Sequence, residues 1–344
     1  MKNVLTLVTA LLSCAGAWAQ DTATNSYTLT NLITNQTDSH LVNPWGLSRP
    51  SSASATENEW WTSDQATGLS TLYDANGTAV SLVVTIPPAG GTGTGSPTGT
   101  VFNANNFLFA TLDGTISNWN AITKPGQPGT SCAKCHVTSA TIMVNHSAAG
   151  AVYTGLAVAK NATSGAVTYY AANNSNSNGG VEAYDTSFNP VTLPGAFMDP
   201  NIPTAYKPFG IQAIGAKIYV TFYNGSSGGY VDAFDTNGNL LLSLAQGAFS
   251  EPWGIAQAPA GFGAFSKALL VGNTFSGLIA AFNPTTGALA GILKNSSGQR
   301  ITIPGLWGIE FGNGNTESGP TTTLYFNGGG ENESTGVFGA IAAN

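Results

Sequence analysis

The sequence predicts an all-β protein, a six-bladed β-propeller of four-stranded antiparallel blades, and three observations carry that reading. A short opening recurs along the chain: Pro44-Trp45-Gly46-Leu47, Tyr153-Thr154-Gly155-Leu156, Pro208-Phe209-Gly210-Ile211, Pro252-Trp253-Gly254-Ile255 and Leu306-Trp307-Gly308-Ile309. After each opening comes an apolar strand ending in Asp or Asn, a turn and a further strand. The last copy has only three strands, and residues 27–33 are an unattached strand that completes it, so the N-terminus closes the last blade. Short strands repeating about every forty residues mark a propeller. A pair of β-sandwiches would not require the repeated opening.

Taken in order, the chain begins with Lys2, the apolar run 4–12 and Ala17-Trp18-Ala19. These read as a secretory signal over 1–19, cut before Gln20. A competing lipoprotein signal, Leu11-Leu12-Ser13-Cys14, would lipidate Cys14. The run is too short to span a membrane, and no other stretch could. Export makes the protein secreted or periplasmic, and residues 20–344 form a single propeller domain.

Blade one continues through 60–64 and 69–74. Blade two has lost the opening, and Val101-Phe102-Asn103 stands in its place. The Gly-rich run before it, 89–99, lacks the Lys and Ser/Thr of a phosphate loop and reads as a flexible link. Blade four, 207–244, shows the pattern in its plainest form, with Asn237-Gly238 as a hairpin signal. The repeated glycine suits the crowded innermost strand, where a missing side chain lets neighbouring backbones approach. The aromatic beside it is expected to wedge between adjacent blades.

The second strands end in Asp64, Asp113, Asn173, Asn224, Asn273 and Asn327. One reading is a turn cap that bonds nearby backbone amides. The other is a ring of oxygen ligands at one mouth of the channel. Only two of these residues are carboxylates, fewer than a hard cation usually takes.

An insertion at 121–140 interrupts blade two between its third and fourth strands. It carries Cys132-Ala133-Lys134-Cys135-His136, the C-x-x-C-H form of c-type haem attachment. Two thiols would bond the porphyrin vinyl carbons while the adjacent imidazole binds iron. Met143 and His146 on the following strand are candidates for a second axial ligand. Two other readings stand beside haem c. One is a disulfide stapling the loop, natural in an oxidising compartment. The other is a zinc site of Cys132, Cys135, His136 and His146.

Composition narrows the function. Charged residues are 8% of the chain, against about 25% in a typical soluble protein. Net charge is −7 with ten Lys and Arg, which excludes the basic footprint of a nucleic-acid binder. There is no G-x-S-x-G elbow, and only three histidines are available for a triad. Glu182 with Asp185, and Asp232 with Asp235, are spaced to opposite faces of a strand and make no acid–base pair.

The strand ending in Asp or Asn, the Gly-bearing turn and the Phe/Tyr-Asp ending resemble NHL-type propeller repeats, best at 71–77 and 231–238. The opening at 43–47, with 109–119 and 147–156, is similar to a family of uncharacterised exported bacterial proteins, over nearly all of the mature chain. That resemblance implies a propeller and brings no established activity. The third strands lack the Arg that NHL repeats often carry, and the 132–136 loop is an addition to the common pattern. The function expected is an exported scaffold binding a ligand or partner, with a carbohydrate or cell-envelope partner suiting the Asn, Thr and Ser surface with its Trp and Tyr. The alternatives are a haem c electron-transfer protein and a lactonase-like hydrolase, which the shortage of ring carboxylates disfavours.

Overall fold

A computed structural model of the chain describes residues 23–52, 58–104, 106–120, 137–226 and 228–344. The segment 1–19 expected to be a signal, with Cys14, and the motif Cys132, Cys135 and His136 lie outside the described residues. The described strands form six antiparallel sheets. Blade one is Pro44–Ser48, Trp60–Asp64, Leu69–Tyr73 and Ala79–Thr85; blade two is Pro97–Asn103, Asn106–Thr111, Thr115–Asn120 and Thr141–Asn145. Blade three is Tyr153–Lys160, Val167–Asn173 and Gly180–Tyr184; blade four is Lys207–Ile214, Lys217–Tyr223, Tyr230–Asp235 and Leu240–Ser243. Blade five is Pro252–Gln257, Leu269–Asn273, Ile279–Phe282 and Leu289–Ile292. Blade six is Leu306–Phe311, Leu324–Gly328 and Val337–Ala343, with the N-terminal Tyr27–Thr34 as its fourth strand.

That closure pairs Tyr27 with Ala343 and Thr34 with Val337. It ties the two ends of the ring together and leaves neither blade one nor blade six with a loose neighbour. Tyr27 anchors the joint. Its ring is buried against Phe262 and Phe265, and its hydroxyl donates to the Phe262 carbonyl at 3.0 Å.

The repeated opening is a β-bulge. In every inner strand the pairing register shifts within it, as between Pro44 and Leu47 or Pro208 and Ile211. The bulge glycine then lies against the next blade. A Cβ on Gly210 would sit 2.2 Å from the Trp253 carbonyl, one on Gly254 2.3 Å from that of Trp307, and one on Gly308 2.7 Å from that of Trp45. Gly46, Gly99 and Gly155 complete the ring. Blade two therefore keeps the opening, as Pro97-Thr98-Gly99-Thr100, and the supposed link 89–99 ends inside its inner strand. Thr98 in the aromatic position hid it. The glycine is what the close approach demands; the aromatic is not.

Blade three departs from the four-stranded pattern. After Tyr184 the chain makes one bridge, Tyr184 to Pro190, formed by Asp185 N–H to the Asn189 carbonyl and Val191 N–H to the Ala183 carbonyl. Pro190 and Pro194 cannot donate to a ladder, so the strand is not built. The segment crosses to blade four, where Gly195 and Phe197 N–H groups bond the Asn237 and Gly238 carbonyls. Phe197 packs there against Phe234.

The core lies between blades. Trp61 stacks on Phe107 at 3.9 Å and also meets Trp119 across the blade one–two interface. No helix among the described residues is long and apolar enough to cross a membrane.

Candidate functional site

The inner strands begin, and the second strands end, on the same face of the ring, here termed the entry face. Just inside it the bulges aim the opening aromatics at the axis. Trp45, Phe209, Trp253 and Trp307 form one buried cluster. Trp45 stacks on Trp307 at 3.6 Å, and Trp253 meets Trp307 edge-on at 5.8 Å. Trp45 of blade one also touches Phe209 of blade four, at 6.1 Å. The aromatics thus meet one another across the axis and do not wedge between neighbouring blades. Alternation along a strand could not reveal this, because the bulge resets which way the side chain points.

The threonines at the remaining two positions make room for this plug. Thr98 and Thr154 turn their hydroxyls onto the Tyr153 and Phe209 carbonyls, each at 2.7 Å. The Trp253 indole reaches over to donate to the Thr154 carbonyl at 2.9 Å, and Trp307 donates to Asn43 Oδ1 at 3.0 Å. Beneath the plug the channel narrows to a cavity of about 20 Å³ lined by Gly46, Gly99, Gly254 and Gly308 and by Leu47, Leu156, Ile211, Ile255 and Ile309. That is room for about one water molecule. The plug closes the axis at the entry face.

The Asp and Asn residues predicted from the repeats all lie at the entry face, and their side chains bind their own blades except for Asn327, which reaches blade one. Asp113 Oδ2 accepts from Ser96 N–H, Asn173 Oδ1 from Val152 N–H and Asn273 Oδ1 from Ser250 N–H, at 2.8, 3.0 and 2.8 Å. Each donor stands just ahead of the inner strand, so the bond fixes where that strand enters. Asn327 donates to the Gly46 carbonyl at 2.9 Å. Asp64 is wholly buried, accepting from the Thr62 and Thr71 hydroxyls at 2.9 and 2.8 Å. Burial pushes its carboxyl up to about 8 despite those bonds. Asn224 is exposed, with Oδ1 accepting from Ser226 N–H at 3.1 Å.

Asn224 borders a bowl of about 510 Å³ on this face, between blades three and four. Its polar wall is Asn174, Ser175, Asn176, Ser177 and Asn224, with the Tyr223 ring beside them, and no charged side chain lines it. Tyr223 in turn packs on Phe209 of the plug at 5.2 Å, so the bowl is braced from below.

His146 and Met143 belong to the outer edge of blade two, where the Met143 side chain is exposed. The His146 ring is engaged in a polar knot with blade three. Its Nδ1 lies 2.8 Å from the Tyr153 hydroxyl and 3.3 Å from Glu182 Oε2. Tyr153 and Tyr184 both donate to Glu182 Oε2, and Asn173 donates to Oε1 at 2.8 Å. Burial would raise the Glu182 pKa, but the bonds from Tyr153, Tyr184 and Asn173, with the His146 charge, outweigh it and hold the carboxylate below its usual range. Burial and the adjoining carboxylate push both phenols up. The knot is therefore a fixed anion between locked phenols. His146 and Glu182 stand 36 positions apart, and no local motif links them. Among the described residues there is no group of three or more His, Cys, Asp or Glu side chains that could hold a metal ion.

Six blades about a plugged axis define a β-propeller. No family model matches the chain. Two uncharacterised proteins of Acanthamoeba polyphaga mimivirus are 27% and 26% identical to it, over 314 and 304 residues. The matches cover 83% and 81% of this chain and 74% and 75% of those proteins. These relatives are viral and do not show the exported bacterial family. Among solved structures, a glucose dehydrogenase matches with a TM-score of 0.59 at 10% identity, over 92% of this chain and all (100%) of that one. The PQQ-bound aldose sugar dehydrogenase of Streptomyces coelicolor gives 0.54 at 11%, over 93% and 99% of the two chains. Virginiamycin B lyase from Staphylococcus aureus gives 0.51 at 13%, over 93% and 100%. At these identities the likeness is one of fold alone.

Proposed function

We propose that this chain is an exported binding propeller whose bowl on the entry face holds a carbohydrate, free or carried on a cell-envelope partner. The observation that carries the reading is the lining of the bowl: planar amides and hydroxyls from Asn174, Asn176, Asn224, Ser175 and Ser177 beside one tyrosine ring, with no charge among them. Such groups match the paired donors and acceptors of a sugar, and an aromatic face suits its apolar C–H surface. A site of a few placed polar groups over a rigid base is how small polar ligands are oriented. Export rests on the signal features at 1–19 and on a surface with so few charges.

A glycan array followed by titration calorimetry tests the reading. The mature protein is expected to retain a defined set of neutral oligosaccharides. Asn176→Ala and Asn224→Ala, both at exposed positions, should lose that binding without lowering the melting temperature. Absence of retention across neutral glycans, or binding that survives both substitutions, overturns it.

A further inference from the structure

We propose that Asp232 and Asp199 form a pH-sensitive latch that holds the crossover segment 195–206 against blade four and loosens as pH rises. The segment leads from blade three to the inner strand of blade four and contains no strand of its own. Its Gly195 and Phe197 N–H groups bond the Asn237 and Gly238 carbonyls. The Phe197 ring meets Phe234 at 5.4 Å, and Tyr206 meets Tyr230 edge-on at 4.8 Å. Phe197 holds φ at 51°, a left-handed value that is strained for a residue with a bulky side chain. A further tie is Asp199, whose Oδ2 accepts from the Ser243 hydroxyl at 3.0 Å.

This tie is short of a donor. Asp232 pairs across the sheet with Ser243, is 1% exposed, and keeps its Oδ2 buried with no hydrogen-bond partner among the described residues. Ser243 has one hydroxyl proton, and it is turned to Asp199. Asp199 is itself buried, with Oδ1 accepting from the backbone N–H and the Nδ2 of Asn201, each at 2.8 Å. Two buried carboxyls therefore share one hydroxyl. With Asp232 protonated, a single carboxylate remains and the hydroxyl serves it. With Asp232 ionised, two like charges stand together in an apolar interface, and the closed arrangement is disfavoured. Moving the segment away admits water to both.

Asp232 alternates with Tyr230 and Phe234 on the face of blade four that meets the segment. Val220 stands opposite it on the second strand, and the segment contributes the charge of Asp199. Its surroundings add the titratable Tyr206, Tyr230 and Tyr170, the last donating to the Thr236 carbonyl at 2.8 Å. Glu182 turns to the other side of blade three, toward His146. Burial, with the Asp199 charge behind it, raises the Asp232 carboxyl from 3.8 to about 7 against the Ser243 bond. A raised value means that closure is fully favoured near pH 4 and weakens as pH rises through about 7. Val191, Leu193, Gly195 and Phe197 also wall a cleft of about 300 Å³ beside blade three, so loosening the segment widens that cleft.

Hydrogen exchange of the full mature chain, corrected for the intrinsic effect of pH, tests the latch. Protection of the Gly195 and Phe197 amides should fall by up to about tenfold per pH unit between about pH 5 and 7 and level off above. The amides of Lys217–Tyr223, in the second strand of the same blade, should change far less. Asp232→Asn should flatten the fall at 195 and 197. Protection that does not change with pH, a fall shared equally by Lys217–Tyr223, or the same fall in Asp232→Asn overturns the proposal. Should the variant misfold, the carboxyl carbon resonance of Asp232 in the unaltered protein decides. A titration midpoint above about 6 supports the latch, and one below it overturns the latch.

Discussion

Asp64→Asn should stabilise the protein at neutral and alkaline pH and flatten its dependence on pH. Asp64 ends the second strand of blade one with its carboxyl wholly buried, accepting from the hydroxyls of Thr62 and Thr71. Burial raises its pKa from 3.8 to about 8, and the negative charge of Asp38 adds to the rise. The folded state therefore holds a proton that the unfolded chain releases. The associated stability is fully present below the unfolded value, near pH 4, and is lost as pH rises through about 8. Within that window each pH unit costs about 1.4 kcal/mol, or on the order of 4 kcal/mol by pH 7. An asparagine has no such proton to hold, and Asn173, Asn273 and Asn327 already occupy the equivalent buried position. Urea unfolding at several pH values, wild type against variant, measures the effect. The stability gap should widen with pH over this window. A gap that is constant with pH, or a variant equally destabilised throughout, refutes the reasoning. Asp232 and Glu251, each raised to about 7 by burial, act in the same direction, so the variant keeps part of the slope.

Gly210→Ala would place a Cβ 2.2 Å from the Trp253 carbonyl and should lower stability by about 2–3 kcal/mol or more, while Gly90→Ala, with nothing within 4 Å, should leave the melting temperature unchanged. Trp307→Ala removes the stack on Trp45 and the bond to Asn43, and should cost about 3–5 kcal/mol in denaturant unfolding. For the Cys132–Cys135 pair the expected outcome is a disulfide: mature protein from an oxidising, haem c-maturing host should be colourless and free of titratable thiol. A Soret band that survives acid-acetone extraction would establish covalent haem instead.

The propeller was legible because each blade must solve the same packing problem, so the chain repeats its solution. Pro208-Phe209-Gly210-Ile211 and its copies mark inner strands, and residues near Tyr27 read correctly as the closing strand. Blade two was harder, since Thr98 replaces the aromatic and only Gly99 preserves the constraint. The irregular blade three left a usable signal in Pro190 and Pro194, two breakers where a fourth strand was expected.

By itself, then, the amino-acid sequence determined the blade number, the strand order and the closure, because these follow from local pattern and from glycines that allow close backbone approach. Tertiary structure alone decided that Trp45, Phe209, Trp253 and Trp307 seal the axis, that the bowl forms between blades three and four, and that His146 meets Glu182. Those features join side chains from blades distant in sequence. Their directions are set by bulges and blade angles, which no periodicity along the chain records.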